Sequence, residues 1–197
     1  MKSKTPFEPR QVTLRDGREV LLRAGMPDDA PALLAYIDRC LPDFAPYVAM
    51  DLGEFTMDEP QEREWLKAQQ QGLGSLSLYA WSGDQIVASV NCSCRNDRTR
   101  LSHLGHIGMS SDKAYWGSGL GSAMMEALID WAEQNPVLEL LELDVFADNE
   151  RAIRLYTGMG FVKVGTVPGR AKYADGSRKD GVIMYRLLRE GRRGDGV

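Results

Sequence analysis

The order of strand-like and helix-like stretches along the chain predicts an α/β sandwich: a mostly antiparallel mixed sheet of about seven strands, flanked by about four helices. Three observations carry this. Short apolar-rich runs bounded by Gly, Pro, Asn or Asp recur from one end of the chain to the other. Two pairs of them enclose tight-turn sequences, Asp16-Gly17 and Ser82-Gly83-Asp84. Four stretches with apolar residues at helical spacing fall between the runs.

Taken in order, residues 11–14 and 19–23 alternate on either side of Asp16-Gly17 and open the chain as a hairpin. Asp28 and Asp29 follow Pro27 and precede Leu33, Leu34, Ile37 and Leu41, a helix that Leu41-Pro42 should end. Residues 43–57 break into a long loop, a kind of segment that often carries function, and 59–70 read as a second helix with Trp65 on its inner side. Residues 75–80 and 85–94 form the second hairpin, with Val87, Ala88 and Val90 in the core. After a polar turn at 95–98, residues 103–111 read as a strand. Residues 119–133 carry the clearest helical face, made by Leu120, Met124, Ala127, Leu128 and Trp131, and Pro136 stops it. A strand at 138–146, a short helix at 149–159 and strands at 161–167 and 177–188 complete the order, and 191–197 reads as a frayed tail.

A chain of 197 residues suits one domain better than two marginal ones, so the expectation is a single domain with its core at about 11–188 and tails at 1–10 and 189–197. The net charge of -4 offers no basic field for a phosphate backbone, which argues against nucleic acid and leans towards a small cationic substrate. Cys40, Cys92 and Cys94 lack the second pair and the histidines that a zinc site requires, so they read as buried thiols in a reducing compartment and no metal is expected. The first ten residues are polar, with Pro6 and Pro9, and no apolar run is long enough to span a bilayer, so no membrane partner and a cytoplasmic location are expected. A homodimer stays open.

Trp116-Gly117-Ser118-Gly119-Leu120-Gly121-Ser122 follows a strand and runs into the strongest helix. Glycines let successive N–H groups turn inward, and the helix N-terminus adds partial positive charge, so Gly117, Ser118, Gly119, Leu120, Gly121 and Ser122 can hold a pyrophosphate without Lys or Arg. The bland reading is a glycine-rich helix start. A dinucleotide fingerprint from Gly117 would need glycine at Ser122, and a Walker loop would need a lysine that is absent. Beside the bland one, the remaining reading is a coenzyme A pyrophosphate loop.

With this loop the chain resembles the GNAT superfamily of N-acetyltransferases, whose signature Arg/Gln-x-x-Gly-x-Gly/Ala stands here as Trp116-Gly117-Ser118-Gly119-Leu120-Gly121, with Trp116 in place of the usual first residue. Asn149-Glu150-Arg151-Ala152-Ile153-Arg154-Leu155-Tyr156 followed by Gly158-Met159-Gly160-Phe161 resembles the family's second signature. Glu54-Phe55-Thr56, Glu62-Arg63-Glu64-Trp65 and Lys172-Tyr173-Ala174-Asp175-Gly176 look like the branch that acetylates free amino acids and small amines. The resemblance implies a GNAT-like fold, acetyl-CoA as cosubstrate and direct transfer of acetyl to a primary amine in a ternary complex.

Asn149 and Tyr156 are seven residues apart, two turns along one helix face. By resemblance Tyr156 is the donor to the departing CoA thiolate. Asn149 could cap its helix, contact the cofactor, or both. The family's pattern implies that the strand before the glycine loop supplies backbone groups to pantetheine, which by position are those of Met109, Ser110 and Ser111. The general base is open. The positions the family uses fall on Gly105 and Ile107, and strict alternation turns His106 to the opposite face unless a bulge intervenes. His106, His103, a water chain or a carboxylate from 43–54 are the alternatives, with His106 the side chain to test first. Glu54 and Tyr173 are expected to line the amine pocket. Rival functions are acetylation of a protein N-terminus or lysine, and a silent acyl-CoA-binding module, against which the presence of Tyr156 argues.

Overall fold

The eight strands of the sheet are β1 (Arg10–Thr13), β2 (Glu19–Ala24), β3 (Leu76–Ser82), β4 (Gln85–Cys94), β5 (Leu104–Ser111), β6 (Leu140–Phe146), β7 (Val162–Lys172) and β8 (Arg178–Leu187). They lie in the order β1-β2-β3-β4-β5-β6-β8-β7, antiparallel throughout except for β5 and β6. The helices are α1 (Ala30–Phe44), α2 (Glu59–Gln71), α3 (Leu120–Gln134) and α4 (Glu150–Gly158). This computed structural model describes residues 4–48, 53–94 and 99–188. The turn expected at 95–98, part of the expected loop 43–57 and most of the expected tails lie outside the described residues.

Alternation along the strands splits the core into two layers. On β3, Leu76, Leu78 and Ala80 pack into a cluster with Met124, Leu128 and Trp131 of α3 and Tyr156 of α4. Tyr79 joins Leu33, Tyr36 and Cys40 of α1 and Leu66 of α2 on the other side. Leu128 is completely buried, and truncating such a residue to alanine costs on the order of 2–5 kcal/mol.

Two of the helix starts are fixed by a side-chain cap. Asp58 accepts a hydrogen bond from the Gln61 N–H (2.9 Å) while Gln61 Oε1 accepts one from the Asp58 N–H (3.0 Å), a reciprocal cap for α2. Asn149 caps α4 by accepting from the Ala152 N–H at 3.2 Å. The expected stop at Pro42 is corrected: α1 runs through it to Phe44. Pro42 is exposed near the end of the helix, so its ring points outward and the missing bond leaves only the carbonyl of exposed Asp38 to water. Residues 45–47 continue as a short 3-10 turn, so the first five residues of the expected loop are helical. At the other end β7 continues five residues past its expected limit at Val167, through an irregularity in its pairing with β8 between Val167 and Ala171. Gly169, at φ 62°, donates its N–H to Asp180 Oδ1 at 2.8 Å and pins that kink.

Candidate active site

β5 and β6 pair in parallel over three residues only, Leu104, Gly105 and His106 against Leu140, Leu141 and Glu142. Beyond them β5 stays bonded to β4 as far as Ser111, and β6 to β8 as far as Phe146. The two strands therefore diverge, and the sheet opens into a cavity of about 690 Å³ lined by Ile107, Gly108, Met109, Ser110 and Ser111 among others. A strand edge that has lost its neighbour offers N–H and C=O groups to any ligand carrying amides. Ser110 Oγ lies 2.9 Å from Tyr36 Oη, which ties this edge to α1.

His106 reaches this cavity without a bulge, which corrects the expected parity. The β4–β5 register is uninterrupted from Ala88 opposite Ser111 to Cys94 opposite Gly105. Gly105 and Ile107 point into the core, where a Cβ on Gly105 would meet Cys92 Sγ at 2.6 Å. His106 and Gly108 take the open face. His106 Nε2 lies 3.5 Å from Asp144 Oδ2, and its side chain is half exposed.

The glycine loop closes one end of the cavity. Gly117 and Gly119 sit at φ 82° and 91°, a region β-branched residues avoid, and Gly119 is the residue from which α3 starts. No acidic residue occupies the first turn of α3, so its N–H groups keep their partial positive charge. Gly117, Gly119, Gly121 and Ser122 line the cavity. Ser118 and Leu120 do not: Ser118 Oγ donates to the Tyr115 carbonyl at 2.7 Å and accepts the Leu120 N–H at 3.3 Å, and the Leu120 side chain is in the core. Their contribution is to shape the loop.

Arginines that carried no sequence signal join this end. Arg15, in the β1–β2 turn, donates its backbone N–H to the Ser118 carbonyl at 2.9 Å, and its side chain passes so close to Gly119 that a Cβ there would lie 3.3 Å from it. Arg151 stacks on Trp116, its guanidinium carbon 3.5 Å from the ring centroid, and Trp116 Nε1 donates to the Ser111 carbonyl at 3.2 Å. The glycine loop, expected to need no Lys or Arg, thus has arginines beside it.

Asn149, the residue that caps α4, and Tyr156 within it both line the cavity. Tyr156 is 8% exposed, and burial pushes its phenol up to about 12, so it stays protonated at any ordinary pH. Among the described residues its hydroxyl has no hydrogen-bond partner, and its ring packs on Phe161 at 6.0 Å.

The opposite end is built from side chains. Phe44, Tyr47 and Val48 form one wall and Val145 and Phe146 another, with Asp144 and Arg170 facing the same space. Lys179 holds the first wall down by donating to the Pro46 carbonyl (2.9 Å) while pairing with Asp148 (2.8 Å). Tyr173 stands behind it, with the Lys179 ammonium 5.9 Å from its ring centroid. Neither Tyr173 nor Glu54 is among the residues lining the cavity, and the Glu54 side chain is exposed. Among the described residues no group of three His, Cys, Asp or Glu side chains could hold a metal, and no helix is long and apolar enough to cross a membrane.

Comparison with known proteins gives this geometry a context. Residues 44–161 match the model of the acetyltransferase (GNAT) family. The chain is 29% identical to the L-amino acid N-acetyltransferase AaaT of Escherichia coli over 130 residues, 65% of this chain and 78% of that protein. It is 29% identical over 118 residues, 60% of this chain and 77% of the relative, to the [ribosomal protein bS18]-alanine N-acetyltransferase of Haemophilus ducreyi. Among solved structures, an acetyltransferase from Salmonella typhimurium with its cofactor acetyl-CoA superimposes with a TM-score of 0.75 at 19% identity, covering 90% of this chain and 99% of that one, a likeness of fold.

Proposed function

This chain belongs to the acetyltransferase (GNAT) family, and on that premise we propose that it transfers acetyl from acetyl-CoA to the primary amine of a small molecule, an amino acid or a related amine. One observation carries the reading. A single cavity brings together an unpaired strand edge, a glycine-flanked helix N-terminus free of acidic residues, and a buried, protonated tyrosine. These suit, in turn, the amides of pantetheine, a pyrophosphate and the sulfur of a thioester.

Met109, Ser110 and Ser111 bind pantetheine through their backbone, and Gly117, Gly119, Gly121 and Ser122 hold the pyrophosphate, with Arg15 beside them. Asn149 fixes the start of α4 and borders the cofactor. Tyr156 gives a hydrogen bond to the departing thiolate. With a phenol near 12, it serves better as a hydrogen-bond donor than as a full proton donor, because complete transfer to a thiolate of ordinary basicity, with a thiol pKa of about 8.5, would run uphill. His106 accepts the proton of the attacking ammonium, and Asp144 at 3.5 Å orients its ring. Glu54 and Tyr173 act from outside the cavity, Tyr173 through Lys179 and the wall it holds. The wall formed by Phe44, Tyr47 and Val48 favours a small acceptor over a protein terminus, the substrate in the name of the Haemophilus relative.

The test is purified protein with acetyl-CoA and a panel of amino acids, polyamines and aminoglycosides, followed by release of free thiol. Thiol release with at least one small amine is expected. Release only with a protein or peptide N-terminus overturns the small-molecule reading.

A further inference from the structure

The acceptor end of the cavity carries a charge pattern that restricts which amines fit it. Asp144 of β6 is the only acidic side chain on the cavity wall among the described residues. Its Oδ1 lies 3.0 Å from Arg170 Nη2 and its Oδ2 3.5 Å from His106 Nε2. The other arginines of the wall stand apart from this group: Arg15 beside Gly119, Arg151 on Trp116, and Arg154 paired with Glu150 at 3.0 Å.

Arg170 is set in place by the backbone around it. The kink in β7 at Pro168 and Gly169 brings it over β8, and its aliphatic stem lies across Gly181, where a Cβ would come 2.7 Å from Arg170 Cγ and 3.0 Å from its Cβ. Only glycine leaves room for that stem. A guanidinium presents five N–H donors in a planar fork, so one bond to Asp144 leaves donors for a second carboxylate. The acceptor end then offers one anion and one cation side by side, with apolar walls from Phe44, Tyr47, Val48 and Phe146 around them.

Resting on the acetyltransferase reading, we infer that the acceptor is a free α-amino acid with an uncharged side chain, its α-carboxylate held by Arg170 and its ammonium by Asp144. A polyamine would need several carboxylates, where the wall has one among the described residues. A protein N-terminus lacks the carboxylate next to its amine, and so would leave Arg170 without its second partner. The amine held by Asp144 is also beside His106, the group placed to take its proton.

The experiment uses the full chain saturated with coenzyme A for binding, and with acetyl-CoA for turnover. Calorimetry with the twenty common L-amino acids is compared with the amide, methyl ester and decarboxylated amine of whichever binds most tightly, and with spermidine. The free amino acid should bind about 10-fold to 100-fold more tightly than its amide or amine, the range expected from hydrogen bonds to a charged group. Arg170→Gln should erase that preference, and Arg170→Lys should restore part of it. Gly181→Ala, which displaces the Arg170 stem without removing its charge, should weaken the preference too. Equal binding of amino acid and amide by the wild type, tighter binding of spermidine, or a preference that survives Arg170→Gln overturns the inference. Carboxylate-dependent binding without any thiol release would leave the clamp standing and overturn the transfer reaction instead. Thiol release with amines that lack a carboxylate, at equal efficiency, would do the reverse.

Discussion

The two ends of the cavity are built from different materials. The cofactor end consists mainly of a strand edge, a glycine turn and a helix N-terminus, contributed by two short stretches, 109–122 and 149–156, with Arg15 beside them. The acceptor end consists of side chains from the end of α1, from β5 and β6 and from β7, more than one hundred residues apart at the extremes. Only the first kind of site leaves a trace in the sequence. Recognition by backbone groups demands glycine at particular φ values and a particular spacing, and those demands are local. Recognition by side chains demands only that they meet, and the sheet can bring them from anywhere.

The comparison predicts that damage at the two ends separates in the kinetics. The largest effect falls on the chemistry between them. Tyr156→Phe should lower kcat by about 100-fold to 1,000-fold, as loss of one hydrogen-bond donor to developing charge does, with acetyl-CoA affinity and the melting curve little changed, because the remaining ring still packs on Phe161. Steady-state kinetics beside calorimetry and a melt decide it; near-normal turnover would reduce Tyr156 to a packing residue. The pH profile adds a check. Because burial raises the phenol to about 12, its donor is retained below that pH, so the wild-type rate should show no fall assignable to Tyr156 up to about pH 10.

Gly119→Val comes next. At φ 91° a valine is strained by about 1–3 kcal/mol, and its branches would push on the Arg15 side chain, so the loop must shift. Acetyl-CoA should bind about 10-fold to 100-fold more weakly by calorimetry, with the amine KM at saturating cofactor unchanged. Unaltered affinity would remove the glycine loop from the cofactor site.

Arg15→Gln probes the part of that end the sequence did not announce. It should raise the KM for acetyl-CoA roughly 10-fold, by loss of one charged hydrogen-bond partner, and the effect should shrink in high salt. The smallest effects belong to the surroundings of the acceptor end. Glu54→Gln and Tyr173→Phe should change the amine KM by no more than about five-fold, since both stand outside the cavity wall. A larger change confined to one amine would bring that residue into contact with the acceptor.

The element order, the buried faces of α3 and β4, the glycine turn and the placing of Asn149 and Tyr156 on one face of α4 were all determined by the sequence alone. Each follows from a period of 2 or 3.6, a cap or a required φ, which act over a few residues. Three features were decided only in the tertiary structure. The passage of α1 through Pro42 depends on that ring having solvent to point into, and it carries Phe44 to the cavity wall. The open face of His106 depends on which side of β5 the helices cover, since alternation defines two faces without saying which one is buried. Arg15 and Arg170 reach the cavity because a hairpin turn docks on the Ser118 carbonyl and because a kinked β7 lays an arginine stem across Gly181. Contacts between segments so distant in the chain impose no spacing on either one, so no pattern along the chain records them.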